Sequence, residues 1–250
     1  MSVWINIGIA ALAVVSSCPA LADVAARYQP EGDMRAINIS MSIEVDENGA
    51  ARMQMGAMPV YTLVAGGNVL MVQRGPNGPY VANYADILQV MAEAFTRMTS
   101  MAHNMPEGNS RALVPLGEVT IGSRQGIAYG YADADDSSPP TPFIVISRDP
   151  LLAPIGRAFA ASTSTGEPLS SLGPIGAMMQ GTMAEMRRLF NDGAPLQIGP
   201  MILTDVSFDE IEDSRFQPPS EPISIDALRQ MYQPFDEAPT LPRPAAPTEN

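Results

Sequence analysis

From Ile37 to Val72 apolar and polar residues alternate with a period of two, and this stretch restricts the fold more than any other. Ile37, Ile39, Met41, Ile43 and Val45 are apolar; Asn38, Ser40, Ser42 and Glu44 lie between them. Side chains along a strand point to alternate faces, so the run predicts a strand with one buried and one wet face. Asp46-Glu47-Asn48-Gly49 interrupts it, and Asn-Gly suits a hairpin turn. Alternation resumes with Ala51, Met53 and Met55 against Arg52 and Gln54. Two further runs, Val60 to Ala65 and Asn68 to Gln73, flank Gly66-Gly67. The expectation is an antiparallel meander whose apolar face needs a cover.

The expected cover lies downstream. After the breakers Gly75-Pro76-Asn77-Gly78-Pro79, with Tyr80-Val81 as a short strand end, the period changes. Ile87, Leu88, Val90, Met91, Ala94, Phe95, Met98 and Met101 form one broad helical face, capped by Asn83 or Asp86 and ended by Pro106 and Gly108. Strand patterns return from Gly117 to Tyr131, with a turn near Gly122 to Gly126, and at Phe143 to Ile146. Leu151 to Ala161 fits a short helix weakened by Pro154 and Gly156, and Ser162 to Gly173 reads as a surface loop. Met178 or Met179, Met183, Met186, Leu189 and Phe190 mark a second amphipathic helix, stopped by Asp192-Gly193 and Pro195. One last strand is expected over Leu196 to Phe208. Ser224 caps a short helix, Ile225 to Tyr232, within a Pro-rich tail.

At the N-terminus, Trp4 to Val15 is apolar but shorter than the roughly 20 residues a membrane span needs. Ala20-Leu21-Ala22 fits signal-peptidase cleavage before Asp23, so Ala22 and Asp23 are the expected processing residues. The expected location is therefore periplasmic or secreted. A second reading treats Val15-Ser16-Ser17-Cys18 as a lipobox, anchoring the chain through lipidated Cys18. The domain reading that follows is a signal peptide (1–22), an N-terminal extension (23–33), one domain (34–216) and a largely disordered tail with a short helix (217–250). The fold class expected is α+β: a single domain with a curled antiparallel sheet packed on helices.

These segments together resemble the LolA/LolB-type lipoprotein carriers, and among them the uncharacterised secreted bacterial members. The resemblance spans roughly Met34 to Phe216 and rests on the early meander, the strand pair ahead of the helix, the pair over Leu116 to Tyr131, and the run from Thr204 to Phe216 before Gln217-Pro218-Pro219. It implies an incomplete barrel around helices, with an apolar cavity for acyl chains. Carriers of this type also use a cavity arginine; Arg35, Arg52 and Arg74 lie in the sheet region, but none sits in a motif that transfers.

Residue chemistry points away from catalysis. His103 is the one histidine, and no Gly-x-Ser-x-Gly, His-Glu-x-x-His or phosphate loop is present. All 14 basic residues are arginine, which excludes a Schiff-base lysine. Asp133, Asp135 and Asp136, and Asp205, Asp209, Glu210, Glu212 and Asp213, read as solvated acidic loops without calcium-loop spacing. A net charge of −13 repels nucleic acid. The chain is therefore expected to be no enzyme and to need no cofactor.

Seventeen methionines remain to be explained. Met98, Met101, His103 and Met105 form a weak Cu(I) candidate of soft thioethers with one imidazole. Packing is the stronger reading, because methionine is an adaptable filler of cores and ligand cavities. Met41, Met53, Met55 and Met71 on the meander, facing Phe95 and Met98 on the helix, are the candidate cavity wall. The function expected is binding of a lipid or other hydrophobic small molecule. The competing class is an envelope protein with a solid core that acts through protein partners.

Overall fold

The computed structural model describes residues 23–32, 39–56, 60–75, 78–99, 112–131, 141–163 and 173–232. Its first strand lies upstream of Ile37, within the residues expected to form an extension. β1 (Val24–Pro30) buries Val24, Ala26 and Tyr28 and turns Arg27 and Gln29 outward. The meander follows as β2 (Met41–Val45), β3 (Ala51–Met55), β4 (Tyr61–Ala65), β5 (Asn68–Gly75) and β6 (Gly78–Asn83). Gly66 and Gly67 both take positive φ, 57° and 80°, the geometry of a tight hairpin turn that matches strand twist. Ile37 lies outside the described residues.

α1 (Tyr84–Thr99) leaves the β6 edge, and β7 (Leu113–Ile121), β8 (Arg124–Tyr131) and β9 (Ile144–Ser147) build from the opposite edge. α2 (Ala153–Ser162) and α3 (Gly173–Asp192) come next, then β10 (Ala194–Ile198) and β11 (Met201–Ser207). The single strand expected over Leu196 to Phe208 is thus a hairpin. Gly199, at φ 54°, supplies the reversal between its arms.

All eleven strands share one sheet, ordered β6-β5-β4-β3-β2-β1-β11-β10-β9-β8-β7, with every neighbouring pair antiparallel. Two sequential runs, β1 to β6 and β7 to β11, join where β1 pairs with β11. The sheet is open, and the chain is a single α+β domain. Residues 23–33, expected as an extension, therefore include the strand at the centre of the sheet. Deleting it would split the two runs.

The helices cover one face. α2 contacts β1, β2, β4 and β10, so the sheet curls toward it. Ile155 and Phe159 of α2 and Leu189 and Phe190 of α3 enter one core with Tyr28, Ile43, Val64, Ile144 and Leu196. α2 forms despite Pro154 and Gly156. The proline sits in its first turn, where no intrahelical N–H is needed, and Asp149 caps the preceding turn by accepting the Leu151 N–H (3.0 Å).

α1 covers only the β5–β6 end, where Ile87 and Val90 pack with Ala82 and Leu228. Met91, expected on its buried face, is 53% exposed, because this narrow seat leaves one flank of the apolar stripe in solvent. The side chains of Phe95 and Met98 lie outside the described set, as do Met101, His103 and Met105.

The segment expected as a tail belongs to the fold as far as residue 232. A 3-10 turn, Asp213–Phe216, crosses β3 and β4 on the face away from α2 and buries Phe216. Arg215 donates two bonds to Glu44 there, at 2.8 and 2.6 Å. Ile223 N–H then donates to the Val81 carbonyl (2.8 Å), occupying a backbone acceptor on edge strand β6. α4 (Ile225–Tyr232), capped by Ser224, tucks against α1. Leu228 is buried there, and Arg229 grips Glu93 at 3.0 and 2.8 Å. Leu228→Asp is expected to release this strap. Tryptic cleavage at Arg215 and Arg229 should accelerate at least tenfold while the sheet survives, since local opening is governed by local contacts. Unchanged cleavage would mean that α4 is held elsewhere.

Candidate functional site

Register places the inward side chains of the meander in rows. One row runs Ile43, Met53, Thr62, Met71 and Ala82 from β2 to β6. A second, Val45, Ala51, Val64 and Val69, is built of smaller side chains and is closed by α2. On the other side of the first row, Met41 pairs with Met55. Branched and small residues thus pack one end of the face, and unbranched methionines occupy the other.

A cavity of about 250 Å³ opens at the methionine end. Met41, Met53, Met55, Thr62, Val69 and Met71 form its sheet wall, with Gln54 at the rim. Tyr84, the first residue of α1, closes the meander side. Phe159, Ser162 and Thr163 at the end of α2 and Met183 of α3 form the opposite wall. Met55 is 43% exposed and marks the mouth. Four of the six residues expected to line a cavity are therefore brought together, and the side chains of the other two, Phe95 and Met98, lie outside the described set.

The walls are held from behind. Phe159 stacks edge-on against Tyr28, with centroids 6.0 Å apart, and lies 5.2 Å from Phe190. Tyr28 donates to the Pro195 carbonyl at 2.8 Å, and burial pushes its phenol far above the ordinary tyrosine pKa. Tyr80 donates to Gln73 (2.9 Å), whose amide donates to the Met71 sulfur (2.7 Å), so Met71 is fixed by a polar chain along the edge. Burial also raises the pKa of Tyr84, keeping that wall neutral at ordinary pH.

Sequence patterning missed Thr62 and Val69, although strand parity with Met71 and Val64 contains them. It also missed Phe159, because Pro154 and Gly156 weakened the helix that carries it. Ser162, Thr163 and Met183 become neighbours only through the α2–α3 packing.

A second pocket, about 310 Å³, is rimmed by Asp23, Asp46, Glu47, Glu210 and Asp213. Two of its carboxylates have structural work. Asp23 accepts the N–H groups of Glu47 (3.0 Å) and Ile211 (2.6 Å), and Asp46 accepts those of Asn48 and Ala50. Among the described residues no cluster of three or more His, Cys, Asp or Glu side chains is placed to hold a metal. Asp209 and Glu212 accept the hydroxyls of Ser207 and Ser214, while Asp133, Asp135, Asp136, Cys18 and Ala22 lie outside the described residues. Arg52 lies on the outer face, over the Tyr61 ring at 4.0 Å, and Arg74 is exposed. No described helix is long and apolar enough to cross a membrane.

The fold and site define an open-sheet α+β domain with an apolar cavity between meander and helices. No family model, curated protein or solved structure matches this chain.

Proposed function

We propose that this chain is a non-enzymatic, exported protein of the cell envelope that binds a slender apolar ligand in the methionine-lined cavity. The observation that carries the reading is the cavity itself: five methionines and Phe159 surround space that branched core residues would have filled. Thioether side chains adapt to varied apolar shapes at little rotameric cost. The volume lies just below the roughly 300–1,000 Å³ of sites for drug-sized ligands, which suits one hydrocarbon chain better than a bulky ring system. Cleavage after Ala22 would leave Asp23 at the new N-terminus, and that side chain ties the start of β1 to two loops. The resemblance to lipoprotein carriers points the same way.

Native mass spectrometry of protein purified from its own periplasm, followed by solvent extraction, tests this directly. A co-purifying lipid supports the reading. Filling the cavity supplies a second test. Thr62 stands between Met53 and Met71 in the inward row, so Thr62→Leu adds apolar volume to empty space. The variant is expected to keep or raise the melting temperature while weakening a fluorescent fatty-acid probe by about tenfold. Probe binding that ignores the substitution would move the site elsewhere. The second reading, an envelope interaction protein, rests on β7: this nine-residue edge strand pairs with β8 on one side, and no described strand pairs with the other.

A further inference from the structure

We infer that Met41, Met53 and Met55 form a thioether site for a soft monovalent cation, Cu(I) or Ag(I), at the mouth of the cavity. A hydrocarbon chain needs only apolar surface from these side chains; a soft cation needs their sulfur. Register brings the three together. Met41 of β2 pairs directly with Met55 of β3, and Met53 lies two residues from Met55, on the same face. Opposed side chains of an antiparallel pair have Cβ atoms about 4.5–5.5 Å apart, and diagonal neighbours about 7–8 Å. The Cβ atoms therefore mark out a small triangle, and each carries a long, unbranched side chain that can bring its sulfur over the centre. All three line the cavity and none is fully buried. Met55 is 43% exposed, so an ion reaches the triangle from the mouth. Met183 of α3 stands on the opposite wall. Met71 is placed less well: it lies across β4 from Met53, and its sulfur already accepts an N–H from Gln73.

The donor set selects the ion. Thioethers are soft and uncharged, and they favour Cu(I) and its heavier congener Ag(I) over hard divalent ions. Packing gives no reason to prefer them here. Strands favour β-branched and aromatic side chains, and Val45, Val64 and Val69 pack the other end of this same face without sulfur. A chain that starts at Asp23 has no cysteine and one histidine, so methionines are its main soft donors. Among the described residues no cluster of three or more His, Cys, Asp or Glu offers a rival site for harder metals. A net charge of −13 draws cations toward the protein.

The test titrates silver nitrate, in chloride-free buffer, into the chain from Asp23, which holds every described residue. The methionine methyl carbons are isotopically labelled and followed by NMR. The expected result is one silver ion per chain at micromolar affinity or tighter, with the signals of Met41, Met53 and Met55 shifting to saturation. Met91 and Met231, exposed on the surface, should not move. Met55→Leu conserves volume, so it should keep the melting temperature and the fatty-acid probe while weakening silver by about tenfold or more. Millimolar affinity, or shifts that include Met91 and Met231 equally, overturns the site. So does a response confined to Met98, Met101 and Met105, or a Met55→Leu variant that binds silver like wild type. The fatty-acid probe without silver tests the apolar-ligand reading separately, so either reading can fail while the other stands.

Discussion

Gly193→Ala is expected to cost at least about 3 kcal/mol of stability, at the upper end of overpacking effects, because the added methyl has nowhere to go. A Cβ at Gly193 would drive into the Ser147 carbonyl oxygen and lie 2.9 Å from both the Ser147 carbonyl carbon and Ile146 Cγ2. Gly156 faces the same junction from α2: a Cβ there would lie 2.5 Å from the Gly193 carbonyl oxygen and 2.7 Å from that of Phe190. Most of these obstacles are backbone atoms, which no rotamer change can move. Neither glycine requires positive φ, so the cost is one of close approach between α2, the end of α3 and β9. Gly156→Ala should match Gly193→Ala, and the double variant should cost at least about the sum, since Gly156 meets the Gly193 and Phe190 backbone while Gly193 meets β9, and no single shift of α2 relieves both. Gly181→Ala in the same α3 helix meets nothing within 4 Å and should stabilise by up to about 1 kcal/mol. Urea midpoints at constant slope would show the contrast. If Gly193→Ala proved as mild as Gly181→Ala, Gly193 could not be seated against β9 where it is described.

These two glycines also show where the sequence stops being legible. The meander could be read from alternation because strand parity is local: a residue two positions away shares a face whatever the rest of the chain does. Parity thus brought Met41, Met53, Met55 and Met71 to one face before any contact was known. Gly156 reads locally as a weak point in a helix, yet it is the contact that lets α2 approach the end of α3 and β10. Its significance depends on Gly193, thirty-seven positions away, and no window of sequence contains both. The breadth of α1's apolar stripe misled at Met91 for a related reason: the stripe records what can be buried, and the seat decides how much is.

The cavity follows from the same division of labour. Close helix–sheet approach at the Gly156–Gly193 junction pins α2 at one end. The small residues Ala51 and Val64 share one core with Ile155 and Phe159 of α2. At its other end α2 finishes at Ser162 and Thr163, opposite methionines that fill the space loosely. The space between that end of α2 and the methionines is the cavity.

The strand at the centre of the sheet, β1, lies outside the alternating run, and Tyr28 is its test. Val24, Ala26 and Tyr28 are inward on β1, but Ala25, Arg27 and Gln29 between them made a run too short and too mixed to stand out from a leader and an extension. In the fold Tyr28 is 0% exposed, braces Phe159 and bonds across the sheet to Pro195, 167 residues away. Tyr28→Ala is expected to cost roughly 3–5 kcal/mol, the range for deleting a buried aromatic. Tyr28→Phe keeps the ring but leaves the Pro195 carbonyl without this donor, for about 1–3 kcal/mol. The phenol also predicts a pH signature. Burial raises its pKa above the ordinary value near 10, so the unfolded chain releases this proton first as pH rises. Its contribution is fully present below about pH 10 and is lost above it, by up to about 1.4 kcal/mol per pH unit. Tyr80 and Tyr84, whose pKa values are also raised by burial, add to the same alkaline loss. Stability measured from pH 8 to pH 11.5 should fall more steeply for wild type than for Tyr28→Phe. Parallel curves would mean that Tyr28 reaches solvent, and with it that β1 is not the central strand.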